Sequence, residues 1–244
     1  RLDGFLLERI HPNGALEAGI YASAFRLLDA GNMVGYLVAS FLVPFVAHNL
    51  SNKNIIEQTV LKLRHLLMIP GIAIAVIVIA FAPGIYSMLY DTTGEYNVQV
   101  LSLCISVLPA YYLTHIYGSV LTARGLLRQF LYIIVIAAVI NLVLNLILIP
   151  FYGAAGSCIA ALVSQYLCAL FCFILCTQHE QFSYQFGSFA VYIITGILLF
   201  AVFYISKTSG IDKLIAIGIG CFATALIMFV QFNRGNKFVT EPNN

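Results

Sequence analysis

Arg26, Asp29 and Asn32 recur every third residue inside the otherwise apolar stretch GIYASAFRLLDAGNMVGYLVASFLVPFVAH, residues 19–48. A charge held at the middle of a bilayer costs about 2.5–3.5 kcal/mol, so it normally faces a bundle interior or a wet cavity and serves a function. Turning about 100° per residue, Ser23, Arg26, Asp29, Asn32, Tyr36 and Ser40 fall on one half of a helix. Leu27, Gly31, Val34, Gly35, Val38, Leu42 and Phe45 fall on the other. The first half suits a wet cavity, the second lipid or a packed neighbour. Guanidinium matches phosphate because its planar fork bonds two oxygens at once. Arg26 is therefore the expected contact for an anionic group, with Asp29 one turn away to orient it. The same spacing also allows a self-neutralising pair that only holds helices together.

Further polar residues interrupt later apolar runs. Tyr111, His115, Ser119 and Thr122 share one helical stripe, Asn141 and Asn145 lie one turn apart, and Ser164 precedes Gln165. His115 and Gln165 are candidates for the cavity lining; an interhelical hydrogen bond is the plainer role for His115 and the two asparagines, and an equal alternative for Gln165. Arg124 and Arg128 read as interfacial anchors. The six cysteines all sit in apolar stretches. None is accompanied by the CxxC, histidine or acidic partners of a metal site, so they read as small packing residues. Paired carboxylates, GxSxG, HExxH and phosphate-cradling glycine loops are lacking. Neither an enzyme, a cofactor nor a metal is expected.

The elements that must position these residues follow from composition. The chain is 61% hydrophobic and only 9% charged, with mean hydropathy +0.95; a soluble domain carries about 25% charged residues. This is the composition of an integral membrane protein. Nothing basic enough to hold nucleic acid occurs. Apolar runs of span length lie near 18–47, 66–90, 98–122, 127–150, 153–178, 187–206 and 211–232. Residues 1–16 read as the end of another helix followed by a His-Pro-Asn-Gly turn, so a preceding segment is expected. Segment 48–65 alternates Ile55, Ile56, Val60, Leu61 and Leu63 with Lys53, Glu57, Lys62 and Arg64. It is either an amphipathic surface helix or an extension of the next span.

Lysine and arginine in loops set the orientation. With 48–65 inside, Lys53, Lys62, Arg64, Arg124, Arg128, Arg234 and Lys237 are cytoplasmic, against Arg1, Arg9, Lys207 and Lys213 outside. The C-terminus is expected in the cytoplasm. The fold class is all-α, a polytopic transmembrane bundle. Residues 1–178 are one six-helix lobe lacking most of its first helix, 179–232 a further helix pair, and 233–244 a tail.

Residues 17–27, EAGIYASAFRL, resemble a segment of bacterial polysaccharide-biosynthesis flippases. Residues 141–157, NLVLNLILIPFYGAAGS, resemble another, and Arg1-Leu2-Asp3 is similar to the family's RxD near the end of its seventh helix. The family belongs to the multidrug/oligosaccharidyl-lipid/polysaccharide exporter superfamily. The resemblance implies two six-helix lobes plus two final helices, of which this chain holds the second lobe and the final pair. It implies translocation of undecaprenyl-pyrophosphate-linked oligosaccharide across the bacterial inner membrane, for O-antigen, capsule or exopolysaccharide assembly. Arg26 would then hold the pyrophosphate, while Ser23, Asn32, Tyr36, His115 and Gln165 line the sugar or water path. Asp29 is the nearest group for coupling to an ion gradient. The expected partners are the lipid-linked oligosaccharide, membrane lipids and an N-terminal lobe, without which this chain supplies one wall and does not transport. Within the superfamily, a lipid II flippase or a cation-coupled drug exporter is the alternative. Outside it stand a membrane-embedded glycan polymerase or ligase and a purely structural subunit.

Overall fold

The computed structural model describes residues 2–90, 94–180, 182, 186–208 and 213–240. Arg1 of the RxD, residues 91–93 of the expected outer loop 91–97 and the last residues of the tail lie outside them. So do the side chains of Lys207, Lys213, Arg234 and Lys237 used to set the orientation.

The described chain is helical throughout: α1 (Leu2–Ile10), α2 (Gly14–His48), α3 (Lys53–Tyr90), α4 (Glu95–Ile105), α5 (Leu108–Ala123), α6 (Leu127–Glu180), α7 (Phe186–Thr208) and α8 (Lys213–Thr240). Among the described residues five helical segments are long and apolar enough to cross a membrane, with a shorter apolar stretch at Ile217–Gln231. These proportions make the chain a membrane helix bundle.

Three interruptions shape the bundle. Pro12 and Asn13 separate α1 from α2. The expected run 98–122 breaks into α4 and α5 where Pro109 follows Leu108. Proline lacks an N–H and its ring collides with the carbonyl four residues back, which here belongs to Ile105, the last residue of α4. The third lies inside α6. Its 54 residues would reach about 80 Å if straight, far beyond a hydrocarbon core of about 30 Å. Gly153 departs from helical geometry at φ 54°, ψ −130°, and the chain doubles back. Asn141 Nδ2 then reaches Ser164 Oγ at 3.3 Å. α6 is therefore a hairpin of two arms, 127–152 and 154–180. The arms meet closely at Gly156, where any Cβ would collide with the Leu148 carbonyl.

The connector 48–65 is the extension of a span, because α3 runs unbroken from Lys53. Ile56 and Val60 face inward. Arg64, grouped by its spacing with the exposed polar residues, is buried instead.

The core is centred on α5, which packs on α2, α3 and both arms of α6. The Tyr112 ring fills notches left by Gly35 and Gly71, and its hydroxyl donates to the Gly31 carbonyl at 2.8 Å. α7 and α8 pack on α3 and on each other, with Phe203 edge-on to Phe81. Five of the cysteines are buried; Cys221 on α8 is exposed, and all six are free thiols.

Candidate functional site

A cavity of about 570 Å³ opens between α1, α2, α5 and the two arms of α6. One wall is the α5 stripe seen in the sequence: Tyr111, His115, Ser119 and Thr122 all line it, with Thr114 beside them. Tyr36 of α2 and Gln165 of the second α6 arm face it from either side. Asp3, Tyr21 and Asn141 form its polar base. The rest is apolar, from Leu6, Val43, Phe130, Ile134 and their neighbours.

The expected site residues separate into groups. Tyr36, His115 and Gln165 line the cavity. Asn32 stands behind His115, buried, with its Oδ1 3.0 Å from Nε2 of the imidazole. It fixes that ring, and Tyr36 packs against the ring with centroids 4.5 Å apart. Ser23 turns toward α3, where its hydroxyl bonds Tyr86 and its carbonyl accepts from Tyr90 at 3.3 Å. Arg26 is exposed and Asp29 half-buried, and neither lines this cavity. The polar half of α2 is thus divided between the bundle and the outer surface. There Arg26 and Ser40 alternate with exposed Met33, Leu37 and Phe41.

The base of the cavity holds a group that the spacing did not single out. Asp3 accepts hydrogen bonds from Tyr21 Oη at 3.0 Å and from Asn145 Nδ2 at 2.8 Å. Asn145 is completely buried. It also bonds Asn141 Oδ1 at 3.0 Å and accepts from Ser157 Oγ at 2.8 Å. One carboxylate is therefore tied to α2 and, through two asparagines and two serines, to both arms of α6. The i,i+4 asparagine doublet was the available signal: a buried amide demands partners on another helix. What it could not show was that one of those partners is a carboxylate 142 residues away.

A buried acid organises one end of the bundle. Glu17 on α2 accepts the backbone N–H of Ala154 at 2.7 Å and the hydroxyl of Tyr96 at 2.6 Å. The Tyr96 hydroxyl lies 3.0 Å from the Tyr152 carbonyl and 3.4 Å from the Ala155 nitrogen. The second arm of α6 starts at this point, so Glu17 caps it from another helix, where unpaired N–H groups and the positive dipole end favour an anion. Gly153 is required there, since a Cβ would overlap the Glu17 carboxylate.

No family model matches the chain, and no characterised protein matches it. The site must be interpreted from its own chemistry. Aromatic faces of Tyr36, Tyr111 and Phe130 offer stacking surface, while His115, Gln165, Asn141 and the hydroxyls of Ser119 and Thr122 offer hydrogen bonds. Such a mixture suits a polar organic molecule with apolar faces. Among the described residues, no group of three or more His, Cys, Asp or Glu could hold a metal ion.

Proposed function

We propose that the chain forms one wall of a translocator that moves polyprenyl-pyrophosphate-linked oligosaccharide across the bacterial inner membrane. The observation that carries this reading is the cavity itself: about 570 Å³, inside a membrane bundle, lined by tyrosines, amides, hydroxyls and an imidazole. Sugar rings present C–H faces that stack on tyrosine and hydroxyls that pair with Gln165, Asn141 and His115. The resemblance of residues 17–27 and 141–157 to polysaccharide flippases points the same way. On this reading the exposed half of α2 faces a second lobe, and Arg26 meets the pyrophosphate in the space between them. The polyprenyl tail stays in the bilayer, and rocking of one lobe on the other exposes the cavity to each side in turn.

The test is transport by the full-length protein in sealed vesicles loaded with fluorescent polyprenyl-pyrophosphate oligosaccharide. Gln165→Ala and Tyr111→Ala are expected to slow flipping about tenfold or more, the loss of one to two hydrogen-bond or stacking contacts. Unaltered flipping in both variants would remove this cavity from the substrate path.

Asp3 favours a second reading within the same superfamily, an ion-coupled exporter of cationic drugs. Its carboxylate faces the aromatic cavity, held by Tyr21 and Asn145, as expected of a group that exchanges a proton or cation. Vesicles preloaded with a lipophilic cation separate the readings, because only an exporter of that kind drives it against its own gradient when an opposing ion gradient is imposed.

A further inference from the structure

Among the described residues the large cavity is lined by no lysine or arginine, and its one carboxylate is that of Asp3. A carboxylate offers about four lone-pair sites on its two oxygens. In Asp3, Oδ2 accepts from Tyr21 Oη at 3.0 Å and Oδ1 from Asn145 Nδ2 at 2.8 Å. The wiring behind Asn145 holds its amide in that sense. Its Oδ1 takes the Ser157 hydroxyl at 2.8 Å, so Nδ2 is the atom turned to Asp3 and to Asn141 Oδ1. Asp3 thus receives a hydrogen on each oxygen, as a carboxylate does, and keeps acceptor sites for a ligand.

The other lining residue able to carry a positive charge, His115, stands at the far end. Its ring meets Asn32 at 3.0 Å, whereas Asp3 is held by Tyr21. Tyr21 and Asn32 lie about 16 Å apart along α2, at about 1.5 Å per residue. The cavity therefore has an anionic end at Asp3 and an aromatic end, where Tyr36 and Tyr111 flank His115 with centroids at 4.5 and 6.4 Å.

Charge decides what such a space accepts. A carboxylate or phosphate brought beside Asp3 loses its water and meets a like charge with no neighbouring cation to offset it. An ammonium has the opposite fate. Its N–H groups donate to the open sites of Asp3 in charge-assisted bonds, and tyrosine faces attract cations. A neutral hydroxyl or acetamido group falls between the two.

We propose that this cavity sorts glycans by charge, preferring sugar units with a protonated amine over neutral ones and rejecting those with a carboxylate. The preference rests on the reading of the cavity as a glycan site and divides the ligand in two. Sugars enter beside Asp3, and the pyrophosphate stays outside, with Arg26 on the exposed side of α2.

The test is ligand-observed NMR on the full-length protein in neutral detergent, which reads weak dissociation constants. The ligands are identically linked disaccharides of glucosamine, N-acetylglucosamine and glucuronic acid. An alkyl amine without sugar rings offers the same ammonium from another source. The pH is held where the amines are protonated and the uronate is ionised. Wild type is expected to bind the glucosamine disaccharide about tenfold or more tighter than the N-acetyl form, and the uronate about tenfold or more weaker than that form. Asp3→Asn keeps the size of the side chain and removes its charge, so the three sugars should come within about threefold of one another. Gln165→Ala lines the same cavity and leaves Asp3 in place, which covers the case in which Asp3 variants fold poorly. It should weaken the amine and neutral sugars by a similar factor, and unchanged binding there would put the sugars elsewhere and overturn the assignment. Charge sorting also falls if wild type binds the three sugars alike or the uronate best, while the glycan reading stands. It falls as a property of Asp3 if the order survives Asp3→Asn. An alkyl amine that binds as tightly as the glucosamine disaccharide overturns it in favour of an organic cation. If no sugar binds, the glycan reading falls with it.

Discussion

The carboxylate of Glu17 accepts the backbone N–H of Ala154 at 2.7 Å across 137 residues of chain. A side chain at the start of α2 thereby begins the second arm of α6. Removing it leaves a buried helix terminus with an orphaned donor. Glu17→Ala should lower stability by about 1–3 kcal/mol. Glu17→Gln, which keeps an acceptor, should cost less. Melting midpoints in detergent check this, and an alanine variant as stable as wild type would refute the cap.

Gly153 and Glu17 should be energetically coupled. Gly153→Ala forces an L side chain into φ 54°, at about 1–3 kcal/mol of backbone strain, and drives a Cβ into the carboxylate. In the Glu17→Ala background the strain and the close approach to the Tyr96 hydroxyl remain, but the collision with the carboxylate does not. The double variant should therefore be less destabilised than the two single costs added together. Strict additivity in a double-mutant cycle would show that the two do not touch.

The Asp3–Asn145 bond predicts an asymmetry between two substitutions. Asn145→Leu removes a hub that serves Asp3, Asn141 and Ser157 and strands several buried polar groups. It should cost about 3 kcal/mol or more and lower the amount of folded protein. Asp3→Asn keeps size and most acceptor capacity, so the protein should accumulate normally. If Asp3 exchanges an ion during transport, flipping by this variant should no longer respond to an imposed gradient. A response equal to wild type assigns Asp3 to structure alone.

Arg26 yields a prediction about surface, not packing. It is exposed, so Arg26→Ala should leave stability within about 0.5 kcal/mol of wild type. On the proposed function it should abolish glycan export, while Arg26→Lys should retain part of it because the charge survives and the fork does not. Export assayed alongside protein level separates the two effects, and normal export by the alanine variant takes Arg26 off the path.

Gly35 offers a steric probe of the large cavity. A Cβ there would strike the His115 ring and approach Tyr112. Gly35→Ala should push the imidazole off Asn32 at about 1–3 kcal/mol. Gly71→Ala, which presses on the opposite side of Tyr112, should cost a similar amount without moving His115. Only the first should alter flipping beyond its effect on folded protein, and equal losses of flipping per folded molecule would show that the His115 ring does not line the path.

What the sequence made legible was governed by local spacing. The α5 stripe of Tyr111, His115, Ser119 and Thr122 depends only on helical period, and all four residues line the cavity. The reversal near Pro150 and Gly153 follows from backbone chemistry in the same way, whereas the run 98–122 read as one span and divides at Pro109. The polar half of α2 was equally visible, but which half packs inward was not. Tyr21, Ala24, Leu28, Asn32 and Gly35 turn inward because α5 supplies matching notches and partners. That complement lies more than seventy residues away and carries no mark on α2 itself. Asp3, Glu17 and Arg64 stayed hidden for a related reason. Each earns its place through a partner on a distant helix, whereas sequence spacing reports only near neighbours.

The placement of α3 has a consequence for how the chain tolerates change. Its one side helps clasp the Tyr112 ring, its other side carries α7 and α8, and none of the described residues of these three helices lines the large cavity. α3 is in effect a bulkhead. Behind it the last helices answer mainly to lipid and to one another, so substitutions, fusions and alternative apolar sequences there should pass with little effect on what the compartment in front of it accepts.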